Sequence, residues 1–204
     1  MTGSHPLHIK GRIFGQFAEF VYLCTPNTLF LVMYKQITVS EPLLIEAAQQ
    51  GMDEFVDVFV DAIYQGIGGE LTAENMPLLN ADQTTLLAYR ILRDEVMDGG
   101  FVQLIHNGYG PFIFKNPFGK MMRQWGIDEL ATLLNKGHRL YNRHHEAIER
   151  ECSDEEFMAL FEQFSDFDDL DDTFVEHEEQ WTATVAAYID DHIDRFATIL
   201  DKEQ

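Results

Sequence analysis

The sequence predicts an all-α protein: a compact multi-helix domain with an N-terminal extension. Helix start and stop signals recur from residue 40 onward, with apolar residues at three- and four-residue spacing between them. Only the region before residue 40 departs from this pattern, with two segments rich in aromatic and β-branched residues. At 46% hydrophobic residues, the 204-residue chain can bury a real core despite a formal net charge of −21.

The N-terminal segments "IFGQFAEFVYLC" and "LFLVMYKQITV" flank "TPNT" and read as a hairpin or an added helix. Met33 is a sensible start just ahead of the first clear helix, so residues 1–32 read as an extension or an upstream-start artefact; the domain division places the N-terminal extension at residues 1–36 and the acidic helical domain at residues 37–204. "SEPLLIEAAQQG" opens that domain, with Ser40 as a cap and Pro42 in the first turn. "MDEFVDVFVDAIYQGIGG" follows and ends in glycines. In "NADQTTLLAYRILRDEVMDGG", Asn80 and Gln83 stand at capping-box spacing, and Gly99-Gly100 stops the helix.

A loop rich in Phe, Pro and Gly comes next, then a short helix after Pro117 and a long one from Asp128 to Glu151. Ser153 and Glu156 form a second capping box ahead of "DEEFMALFEQF". Phe174 to Leu200 reads as one broken helix or two.

Charge is distributed unevenly. Residues 151–204 hold 18 acidic residues against Arg195 and Lys202, and "SDFDDLDDTF" packs five aspartates into seven positions with no basic residue nearby in sequence. Such a charge repels nucleic acid and anionic membranes and steers basic proteins toward the chain, so direct nucleic-acid binding is not expected. The aspartates fail the calcium-loop pattern in both registers, because Leu170 and Phe174 fall where an oxygen ligand and a glycine are required. The chain contains no Glu-x-x-His. His138, His144 and His145 read as an exposed polar face that, with Arg139, Arg143 and Arg150, balances acidic neighbours. No nucleophile elbow, P-loop or dinucleotide motif appears, so neither enzymatic activity nor a metal or other cofactor is expected.

Two cysteines, Cys24 and Cys152, make no framework, and no apolar run reaches the length of a membrane helix. A cytoplasmic protein with no membrane partner is expected.

An acidic face for a protein partner remains. Asp53, Asp57 and Asp61 lie at i, i+4 and i+8 on one helix face. Four residues advance a helix by about 6 Å, while each DNA strand presents a phosphate about every 3.4 Å of rise, so a carboxylate ladder can stand in for a phosphate ladder. The expected partner-binding residues are Asp166, Asp168, Asp169, Asp171, Asp172, Glu176, Glu178 and Glu179, with Asp53, Asp57 and Asp61 next.

Glu95, Val96, Gly99, Gly100, Phe101, Gln103, Asn107 and Gly110 fit the pattern E-[VI]-x-N-G-G-[FY]-x-Q-[FY]-x-x-N-x-x-G, with Asp98 and Leu104 as departures. Together with "WGIDELATLL" and "YIDDHIDRF", this stretch resembles a bacterial all-helical domain family that includes a DNA mimic protein of Neisseria. The resemblance covers about residues 40–200 and implies a homodimer whose acidic surface occupies the DNA-binding face of a transcription factor. Glu95, Gly99, Gly100, Phe101, Gln103, Asn107 and Gly110 read as structural, the glycines by turning the chain between helices and Gln103 and Asn107 by satisfying polar groups. The combined expectation is a DNA-mimic-like protein that binds a basic DNA-binding protein, a helix-turn-helix regulator or nucleoid-type protein, and blocks its access to DNA. The alternatives are a helical scaffold domain whose acidity serves solubility, or an enzyme built on Gln103, His106 and Asn107.

Overall fold

The computed structural model describes residues 34–201. The fold over these residues is all-α, with one short ladder where the two ends of the domain meet. The helices are α1 (Glu41–Gln50), α2 (Met52–Ile67), α3 (Ala81–His106), α4 (Gly110–Phe114), α5 (Phe118–Gln124), α6 (Asp128–Ile148), α7 (Asp154–Gln163), α8 (Asp168–Asp191) and α9 (Ile193–Phe196). β1 (Thr38–Ser40) and β2 (Thr198–Leu200) pair in parallel, with Thr38 opposite Thr198.

Local chemistry explains most of the boundaries. Both capping boxes form: Asn80 accepts from the Gln83 N–H at 2.9 Å, and Ser153 accepts from the Glu156 N–H at 3.3 Å. Gly68, at φ +97, closes α2 in the left-handed region. Ser40 provides no side-chain cap to α1, contrary to expectation; it is the last residue of β1, and its position is set by the ladder opposite Leu200.

α3 is the central element, packed against α2, α4, α6 and α8. Leu86, Leu87, Leu92, Phe101, Leu104 and Ile105 on it are fully buried. Phe101 meets Phe174 of α8 edge to face at 6.4 Å, and Trp125 stacks on Tyr188 of α8 at 4.5 Å. The rings therefore fix α8 against the core along its length, making it a rigid platform for whatever its outer face carries.

Two differences from the sequence reading concern α8 and β2. The last long helix begins at Asp168 and not near Phe174, so Asp168, Asp169, Asp171 and Asp172 lie within α8. At the other end the helical stretch stops at Phe196, and Thr198–Leu200 is a strand. The pairing that stabilises it lies 160 positions away in sequence. The hairpin-or-helix expectation for the N-terminal segments falls mainly on residues 1–33, outside the described residues. Its last two residues, Thr38 and Val39, pair with Thr198 and Ile199 of the C-terminal strand.

Candidate protein-interaction face on α8

α8 sorts its acids by face. At 100° per residue, Asp168, Asp169, Asp172, Glu176 and Glu179 fall on one stripe about 100° wide, while Asp171 and Glu178 lie outside it, toward the core-facing side that carries Val185 and Ile189. The five stripe residues are exposed, and none forms an ion pair among the described residues. From Asp168 to Glu179 the stripe runs for about 16 Å, and Asp190, exposed on the same face, extends it to about 33 Å. Asp190 was missed because α8 was not read as one helix. Asp166, just before α8, is exposed beside the stripe, with Arg143 at 3.7 Å and His144 at 3.6 Å.

The two inward acids have structural work. Asp171 is half-buried and accepts the Phe101 N–H at 2.8 Å. Phe101 follows the kink in α3, where Gly99 and Gly100 leave helical geometry and Gly100 takes φ +72. The Asp171 carboxyl thus caps the second half of α3, and a Cβ on Gly100 would lie 2.5 Å from it. Burial pushes this carboxyl up to about 6, and Asp168 and Asp172 add to the rise; the Phe101 N–H opposes it.

Glu178 is only 8% exposed. It is bonded to Arg93 of α3 and accepts the Thr182 hydroxyl at 2.8 Å, and Thr182 in turn contacts Tyr89 at 2.6 Å. The structure thus brings Asp166, Asp168, Asp169, Asp172, Glu176 and Glu179 together on the surface and draws Asp171 and Glu178 away from it.

The α2 ladder is also partly consumed. Arg90 is bonded to Asp57, and Arg93 lies 3.0 Å from Asp53, so two of its three carboxylates face cations of α3. Asp61 alone of the three is exposed. Burial raises the Asp57 carboxyl against the opposing effect of Arg90. Residues 33 or more positions apart make these pairs, so the spacing within α2 gave no sign of them.

The glycine motif closes a polar network. Asn107 donates to Glu95 at 2.7 Å, and Gln103 donates to Glu95 at 3.3 Å and to Asp98 at 2.8 Å. A Cβ on Gly99 would lie 2.1 Å from the Gln103 side chain, and one on Gly110 would lie 2.3 Å from the Tyr141 ring. His106 Nδ1 contacts the Ile148 carbonyl at 2.8 Å, with its ring against Phe157. These side chains tie helices together across the kink.

The α8 stripe has a basic counterpart in space, although none is near it in sequence. Lys136, Arg139 and Arg143 of α6 share one wall of a groove of about 580 Å³; Asp166, Asp169, Asp172 and Glu176 form the other, with Leu140 and Leu170 between them. The α6 histidines are not the open polar face expected, because all three are half-buried beside aromatic rings: His138 by Phe114, His144 by Phe164 and His145 by Tyr141. Among the described residues no group of three or more His, Cys, Asp or Glu side chains is placed to hold a metal ion. No helix among them is long and apolar enough to cross a membrane.

Over 127 residues the chain is 36% identical to the DNA mimic protein DMP19 of Neisseria meningitidis serogroup B, an alignment covering 62% of this chain and 77% of that protein. The family described as DMP19-like protein matches residues 77–192, which include the kinked α3, its glycine pair, the basic row of α6 and all of α8. The chain therefore belongs to the DMP19-like protein family.

Proposed function

We propose that this protein is a DNA mimic that captures a basic DNA-binding protein through the outer face of α8 and so denies that protein its DNA. The observation that carries this reading is the row Asp168, Asp172, Glu176 and Glu179, exposed carboxylates at helical spacing on a helix anchored to the core by buried rings. Successive members stand about 4.5 to 6 Å apart along the axis, within reach of side chains that read a phosphate backbone. Asp166, Asp169 and Asp61 extend the negative surface. The protein has no catalytic role in this reading, acts in the cytoplasm, and works as a homodimer whose domain begins at residue 37. Support for that boundary comes from Ile37, 3% exposed, and from the pairing of Thr38 with Thr198.

The deciding experiment is capture of DNA-binding proteins from lysate by the full chain and by a D168N/D172N/E176Q/E179Q variant, at low and high salt. The wild type is expected to recover a helix-turn-helix or nucleoid-type protein at low salt and release it at high salt, with the variant recovering little at either. Equal recovery by the two proteins removes the α8 face from the mechanism. Absence of any specific partner favours a scaffold domain whose acidity serves solubility.

A further inference from the structure

Charges of opposite sign face each other across the α6–α8 groove without closing it. Lys136, Arg139 and Arg143 stand at i, i+3 and i+7, a row about 10 Å long on one face of α6. Of these three, Arg143 reaches an acid, Asp166, at 3.7 Å. Among the described residues Lys136 and Arg139 form no ion pair within 4.0 Å, and neither do Asp169, Asp172 and Glu176 opposite them. Side chains of both signs thus line one groove, together with Leu140 and Leu170, and leave its centre open.

Duplex DNA is uniformly anionic along its backbone, whereas this surface changes sign over the width of one groove. A ligand seated on it meets carboxylates on one side and cations on the other. A uniformly basic ligand gains from α8 but is opposed by α6, since both walls lie within about one Debye length at 0.1 M salt. Acidic side chains beside the basic ones allow a ligand to satisfy both walls. Discrimination of this kind comes from a repulsive element placed beside an attractive one.

We propose that the Lys136–Arg139–Arg143 row is the specificity element of the acidic face. It selects a partner helix that carries an acidic row next to its basic row, and it disfavours helices that are basic throughout. The inference rests on the DNA-mimic reading and names the class of partner segment that the α8 face accepts.

Two helical peptides of equal length test it, one with lysine at every docking position and one with a lysine row flanked by a glutamate row. Their dissociation constants are measured by fluorescence anisotropy against the full chain and its K136Q/R139Q/R143Q variant. All three substitutions lie on the exposed face of α6, away from the core. Neutralising the row is expected to tighten the all-lysine peptide about tenfold and to weaken the mixed peptide by a similar factor. Parallel shifts of the two peptides, or no shift in either, overturn the specificity role while the acidic-face reading stands. Failure of the wild type to bind either peptide at low salt overturns both.

Discussion

Gly100 and Asp171 form one device at the level of single residues. The glycine takes a backbone conformation open to few other residues, and the carboxyl occupies the space where its side chain would be. Gly100→Ala therefore combines an unfavourable φ with a 2.5 Å contact and is expected to destabilise the fold by about 1–3 kcal/mol, measured by urea unfolding. Asp171 itself titrates unusually. Its folded value, about 6, lies above the ordinary aspartate value near 3.8 because burial penalises the charge. The native carboxyl thus holds its proton more tightly than the unfolded one. This group's contribution to stability is fully present below about pH 4 and is lost as pH climbs through about 6, a swing on the order of 2–3 kcal/mol. Asp171→Asn keeps an oxygen able to accept the Phe101 N–H and removes the desolvated charge. The difference in unfolding free energy between pH 4.5 and pH 7.5 is expected to shrink in that variant. An unchanged difference would assign the pH dependence to other carboxyls, such as Glu95 or Asp57, which burial shifts in the same direction.

Among the secondary-structure elements, α3 is held from both sides by its own arginines. Arg93 joins Asp53 of α2 to Glu178 of α8, and Glu178 is nearly inaccessible to water. Arg93→Ala leaves that carboxylate buried without its cation and is expected to cost about 3 kcal/mol in urea unfolding. Adding Glu178→Gln to the same chain is expected to recover part of the loss, because the unpaired charge is gone. The start of α3 is also tied to a distant element: Asn80 caps Gln83 and donates to the Arg195 carbonyl of α9 at 2.7 Å. Asn80→Ala is expected to lower stability by about 1–2 kcal/mol by the same measurement. The cap itself was legible from a stretch of four residues, as was the box at Ser153, because donor and acceptor lie three positions apart in the chain. Pairing of Asp53 and Asp57 with Arg93 and Arg90 was not legible, and two of the three carboxylates of the α2 ladder prove to be paired with α3. The split within the aspartate run follows the same logic. Helical periodicity separates Asp171 and Glu178 from their neighbours only once the helix is known to begin at Asp168.

Over the whole molecule the net charge repels itself, and in the proposed function it also attracts a basic partner. Its net charge was legible from composition, and so was its concentration in the last quarter of the chain. Its disposition was not, because the cations that offset parts of it come from α3 and α6 and meet the acids only through tertiary packing. The β1–β2 ladder escaped for the same reason, since three-residue strands at opposite ends of the domain leave no local pattern. Unpaired carboxylates of the α8 stripe stand about 6 Å apart, closer than the Debye length of about 10 Å at 0.1 M salt and farther than the roughly 3 Å at 1 M. Added salt therefore relieves repulsion within the stripe while it weakens attraction to a basic partner. The thermal unfolding midpoint of the free protein is expected to climb by roughly 2–6 °C between low and high sodium chloride, over the same range in which partner capture falls. In the D168N/D172N/E176Q/E179Q variant the climb is expected to shrink, because the repelling groups are gone. A midpoint that falls with salt in the wild type would mean that the arginine bridges of α3 outweigh the stripe. The acidity would then act as a net source of internal pairing and not as a surface held ready for a partner.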